Sequence, residues 1–208
     1  MRYGDLAKSK IILSIFIIFI AAAVLYIFLI GNDKKAVRET ADIYIKAVKD
    51  RNFDMVYNLN ASSQKRRLFA LKGSNSNKSE LIRQTYEEQK ASFDSAKPSF
   101  DFNAIWVEKF IFIPGMKYTI AEVAMERNTD NPTSFYRKRI DAAVVIEIEY
   151  DQKDTAPLYK GKNLKKAVYL VRMIHSKNIA RVVKDVVVDD KWLFKGIAVK
   201  EGSVVYWE

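Results

Sequence analysis

Few side chains in this sequence could carry chemistry, and their types bound what that chemistry could be. The 208 residues include 1 His and no Cys, which excludes thiolate nucleophiles, thiolate zinc sites, iron–sulfur clusters and most imidazole-based metal sets. His175, the single imidazole, could act as a general base. It falls, however, between the alternating segments YLVRMI and IARVVKDVVV, where a solvated turn is the simpler expectation. A catalytic carboxylate needs burial to lift its pKa towards neutrality. Asp42 shares a helix with Tyr44, and Asp141 alternates away from the apolar side of its strand, so both acids are expected on wet faces. Asp189 and Asp190, with Asp185, come nearest to a cation-binding set. Adjacent acids between strands are turn formers, and no EF-hand spacing accompanies them. Without a glycine-rich phosphate loop, a nucleophile elbow or paired-carboxylate spacing, the chain reads as a non-enzyme with no cofactor and no metal site.

The elements around these residues are clearer. From Ile11 to Ile30 the chain reads IILSIFIIFIAAAVLYIFLI, without a charge. At about 1.5 Å per residue this is roughly 30 Å of helix, the thickness of a bilayer's hydrocarbon core. A cleaved signal peptide would fit Arg2, Lys8 and Lys10 followed by Ile11–Ile20 and Ala21–Ala23, but the apolar run continues to Ile30, which a peptidase site does not require. The expected organisation is a cytoplasmic tail at 1–10, a transmembrane helix at 11–30, a polar hinge at 31–35 and an exported domain at 36–208, in a bacterial inner membrane. Acidic Asp33, Glu39 and Asp42 dilute the positive charge on the distal flank, which favours an inside amino terminus and the bulk of the chain on the periplasmic or extracellular side.

Beyond the span, Val37, Ala41, Tyr44, Ile45 and Val48 recur at helical spacing. A short second helix is expected around Met55, Val56 and Leu59, with another turn or two over 62–71. Asn77, three residues before Glu80, has the form of a capping box opening a helix that stops before Pro98. Alternation then takes over. IWVEKFIFI at 105–113 and the segment 118–125, joined by Pro114-Gly115, read as a hairpin. Arg139 to Tyr150 places Ile140, Ala142, Val144, Ile146 and Ile148 on one side of a strand. Further strands are expected at 167–174, 180–188 and 192–199, with a last edge strand at 204–207. Tyr44, Tyr57, Tyr86, Trp106, Phe110, Phe112, Tyr118 and Trp192 are expected to fill the core. Helices followed by a run of mostly antiparallel strands define an α+β fold, with helices packed on one face of a curved sheet.

The opening helix ADIYIKAVKDRNFDMVYNL and the closing hairpin RVVKDVVVDDKWLFKGIAV resemble the nuclear-transport-factor-two-like superfamily, the ketosteroid-isomerase or SnoaL-like cone, over residues 36–200. The resemblance implies a cone-like domain with a pocket and does not imply catalysis, since relatives also bind or scaffold.

The formal net charge is +10, and removing Arg2, Lys8, Lys10 and Asp5 leaves +8 for the rest. The excess clusters in Lys65, Arg66 and Arg67, in Arg137, Lys138 and Arg139, and in Lys160, Lys162, Lys165 and Lys166. Gathered on one face, these would form a patch for an anionic partner such as lipid headgroups or acidic proteins. Nucleic acid is not expected, because no recognition helix, zinc module or RNA motif is present. The reading that follows is a single-pass accessory or scaffold subunit of a bacterial envelope complex. It is similar in architecture to the bitopic subunits of type IV secretion and conjugation machines, acts through protein contacts with other envelope proteins, and is compatible with a homo-oligomer. The alternatives are a tethered cone that binds or converts a small apolar ligand, and a binder of anionic surfaces.

Overall fold

A computed structural model describes residues 3–73, 77–98, 101–102, 104–128, 139–180 and 189–208. At 3–14, 22–32, 73, 127–128, 139–140, 178 and 180 it describes the backbone alone. The chain divides into two compact units, Met1–Ala36 and Val37–Glu208.

The first unit is the beginning of α1, Tyr3–Lys49, a helix of 47 residues. The stretch 31–35, read above as a hinge, is helical. The expected span 11–30 lies within α1, where side chains are described only at 15–21. Among the described residues no helix is long and apolar enough to cross a membrane. Those side chains are nonetheless unusual. Ile15, Phe16, Ile17, Ile18, Phe19 and Ile20 are between 49% and 71% exposed, so every side of the helix is apolar and uncovered.

The second unit begins with the last turns of α1. Val37, Ala41, Tyr44, Ile45 and Val48 are all buried, as their spacing requires. α2 (Phe53–Leu59), α3 (Ala61–Gly73) and α4 (Lys78–Ser95) follow. Asn52 caps α2 by accepting from the Met55 amide at 3.2 Å. The capping box expected at Asn77 does not form. The Asn77 side chain makes no cap bond, and Glu80 instead takes Arg83 at 2.7 Å, an i,i+3 pair that satisfies the acid without reaching back.

Between α4 and the sheet the strand expected at 105–113 is absent. Val107–Phe110 is a 3₁₀ helix, entered through Trp106 at φ 64. The reason is burial on both sides of the segment. Trp106, Val107, Glu108, Ile111 and Phe112 are all buried, and a strand at the rim of a sheet would leave alternate residues wet. The five strands are β1 (Met116–Asn128), β2 (Arg139–Tyr150), β3 (Leu158–Tyr159), β4 (Lys162–His175) and β5 (Trp192–Tyr206). They form one curved antiparallel sheet in the order β1-β2-β4-β3, with β5 also paired to β4. The α+β class is therefore as expected. The tail 204–206 is the end of β5, which runs on past Gly202 (φ 76) and rejoins β4 at Leu164–Ala167. His175 is followed by a short helix, α5 (Ser176–Ala180), in place of a simple turn. Of the strand expected at 180–188, residues 181–188 lie outside the described residues.

α1 lies along β1 in register. Arg38 donates to the Ile120 carbonyl at 3.0 Å, the Tyr118 hydroxyl donates to Asp42 at 2.6 Å, and Lys49 donates to the Met116 carbonyl at 3.3 Å. The core between helix and sheet takes Val144, Ile146 and Ile148 from β2 with Tyr169, Val171 and Met173 from β4. Ile146, fully buried and paired with Ile120 and Tyr169, sits at its centre. Ile146→Ala should cost about 2–5 kcal/mol in urea unfolding. Its neighbour Glu147, which makes an exposed ion pair to Lys166 at 3.4 Å, should lose no more than about 1 kcal/mol as Glu147→Ala.

Candidate functional site

Among the described residues, the charged side chain buried deepest in the second unit is Glu108, 4% exposed. Three elements hold it. The left-handed Trp106 turns the chain so that 107–110 winds as 3₁₀, and the Trp106 indole is pinned by donating to Ser92 on α4 at 3.2 Å. Such a conformation costs a bulky residue about 1–3 kcal/mol and persists only where packing over-determines it. Phe53 and Phe93 supply that packing, with ring centroids 6.0 and 5.4 Å from Trp106.

From α1, the Tyr44 hydroxyl donates to Glu108 Oε1 at 2.8 Å. From the break between α2 and α3, Asn60 Nδ2 donates to the same hydroxyl at 3.2 Å. Asn60 also caps α3, its Oδ1 accepting from the Ser63 amide at 3.1 Å, and its backbone bridges to Phe194 of β5. The Tyr44 ring stacks on Phe194 at 4.2 Å and 10°. One polar chain, Asn60 to Tyr44 to Glu108, therefore ties α3, α1 and the 3₁₀ turn together beside the edge of the sheet. Burial raises the Glu108 pKa, and its effect exceeds the opposing hydrogen bonds from backbone and Tyr44. Burial, followed by the neighbouring Glu108, pushes the Tyr44 phenol well above its ordinary value. Both shifts disfavour the charged forms of the pair.

Glu108 lines a cavity of about 610 Å³ together with Phe102, Ile105, Trp106, Arg66, Arg172 and the β5 segment 194–198. An apolar cavity of about 300 Å³, bordered by Phe110, Ile111, Leu158, Leu164 and Tyr169, shares Phe102 and Val107 with it. No known protein family, curated protein or solved structure matches this chain. Its functional reading rests on this geometry and on the sequence.

The residues singled out earlier are distributed otherwise. Asp141 is buried rather than wet and pairs with Lys195 at 3.2 Å. Asp42 is satisfied by Lys46 and Tyr118. The His175 side chain, only 21% exposed, binds Asp190 at 2.7 Å and stands edge-on to Trp192, so it is a structural residue of the α5 corner rather than a solvated one. Asp190 also takes Lys177, and Asp189 takes Lys191. Asp185 lies outside the described residues, among which no cluster of acids and histidine could hold a metal.

The seven of the ten cations whose side chains are described fall into two separate groups. Lys65, Arg66 and Arg67 lie on α3, whose Ala61 and Leu68 pack with Ile174 and Leu193. Lys160, Lys162, Lys165 and Lys166 lie at the other end of β4, with Lys166 opposite Glu149 where Ile174 is opposite Asp141. At about 3.3 Å per residue the two groups are roughly 25 Å apart along the strand. Lys160, Lys162 and Lys165 lie over the rings of Tyr159, Tyr206 and Trp207. Arg137 and Lys138 are outside the described residues, and Arg139 is described by its backbone alone. Glu108 escaped the sequence reading because it stands inside an alternating apolar run. Its being the lone acid in that run was the available signal.

Proposed function

We propose that the protein is a single-pass membrane-anchored accessory subunit of a bacterial envelope complex, with the second unit exported and acting by binding rather than catalysis. The observation that carries this reading is the run Ile15–Ile20, six large apolar side chains left uncovered within a longer uncharged sequence. Water penalises such a surface and a bilayer does not. An anchor that confines a folded unit to one membrane plane suits assembly with other envelope proteins, and the α+β architecture accords with the resemblance to the nuclear-transport-factor-two-like cone.

Because the chain has no Cys, one introduced thiol reports topology. In intact cells, Lys153→Cys should react with a membrane-impermeant maleimide from outside and Ser9→Cys should not. A chain purified from solubilised native membranes should carry stoichiometric partners. Reversed labelling, or a lone monomer, would count against the reading.

A second reading is favoured by the cavity beside Glu108: a tethered pocket for a small ligand. A buried acid with a raised pKa, hydrogen-bonded to a phenol at the wall of a space in the ordinary range for small-molecule sites, is the motivation.

A further inference from the structure

The charge and polarity of the cavity walls specify more than the presence of a space. Arg66 enters from α3 and Arg172 from β4, and neither has a hydrogen-bonding or ionic partner among the described residues. Two arginines brought to one cavity wall from separate elements suit an anionic group. The acid in the same wall, Glu108, is turned towards the Tyr44 hydroxyl, and its burial raises its pKa, which disfavours the opposing charge. The remaining wall is apolar. Ile105, a large aliphatic side chain in the same wall, is 64% exposed. Phe102 and Val107 then lead to the second, mostly apolar cavity.

We infer that the two cavities together bind a single-chain amphiphile with an anionic head, the head at Arg66 and Arg172 and the apolar body along Ile105 and Phe102 towards the smaller cavity. This deepens the pocket reading above and rests on it. The head could be a carboxylate or a phosphate. Both are planar or tetrahedral oxyanions that accept from guanidinium, and the experiment separates them.

The test uses the full chain in nanodiscs of zwitterionic lipid. Ile105→Cys supplies the only thiol, and its alkylation rate with iodoacetamide reads occupancy of the cavity independently of partition into lipid. Octanoate and octyl phosphate should slow alkylation in a saturable way, and the one that does so at lower concentration identifies the head. Octanol and octylammonium should need at least about tenfold higher concentrations. Adding Arg66→Ala or Arg172→Ala, both at exposed positions, should raise the half-protecting concentration of the better anion by about tenfold each. Equal protection by octanol or octylammonium would overturn the anionic head while leaving the pocket intact. Absence of protection by all four probes would overturn the pocket reading itself.

Discussion

Glu108→Ala is expected to be among the most destabilising single substitutions in the second unit, at roughly 3–4 kcal/mol. It opens a void beside Trp106 and strips a buried phenol of its acceptor, since the Tyr44 hydroxyl donates to Glu108 Oε1 at 2.8 Å and is itself fully enclosed. Glu108→Gln retains an acceptor of the same size and should cost about 1 kcal/mol or less. The two variants therefore separate the loss of shape and hydrogen bonding from the loss of the ionisable group.

A pH series makes the distinction sharper. Burial raises the Glu108 pKa above its ordinary value of 4.5, so the folded state keeps a proton that the unfolded chain releases. The stabilisation is complete below the unfolded value and is lost as pH rises through the higher folded value. The Gln variant lacks that titration. Its stability relative to the parent should improve as pH rises from the ordinary value of 4.5 through the raised folded value and level off above it, as read by urea midpoints. A difference that stays flat over this range would show that Glu108 ionises as readily in the fold as in the unfolded chain.

The second large effect concerns the anchor. Residues 11–30 contain 15 Ile, Leu, Phe and Val, each contributing about −0.3 to −0.6 kcal/mol to insertion at the centre of a span. One arginine there costs about 2.5–3.5 kcal/mol. Ile18→Arg with Ile20→Arg should cancel most of the insertion free energy and move the chain from carbonate-resistant membranes to the extractable fraction. Ile18→Leu with Ile20→Leu should leave it in place. A doubly arginine-substituted chain that still resists carbonate would remove the single-span reading.

What could be read from the sequence follows a physical rule. The second half of β2 was readable because Val144, Ile146, Ile148 and Tyr150 are enclosed while Glu149 stays wet, whereas 141–144 are buried in succession, which is why Asp141 was expected on the wet side. The end of α1 was readable for the same reason at helical period. Residues 105–113 were not, because Trp106, Val107 and Glu108 are enclosed in succession and the pattern loses its meaning when both sides are covered. β5 was divided into two strands because Lys200 to Gly202 carry turn chemistry, although tertiary pairing with β4 resumes beyond them. The candidate site was hidden more deeply. Tyr44 reads as one more core aromatic, and its partner Glu108 lies 64 residues away in sequence, so only the fold makes the pair.

Lys195 is a surplus residue in its strand: Met173 faces Phe194 while the next position, Arg172, faces Gly196, with Lys195 bulged between them. Losing that one residue would leave Phe194 and Ile197 against their present neighbours, whereas removing any other single residue between 196 and 199 would turn the following side chains over. Length variation is thus permitted at Lys195 as it is in the unpaired stretch 200–203, and at Lys195 it would delete a cation and its link to the buried Asp141 while leaving the apolar contacts of Phe194 and Ile197 in place. Related chains could exchange the electrostatic character of this border by gain or loss of a single codon, without having to repack the hydrophobic side of the sheet.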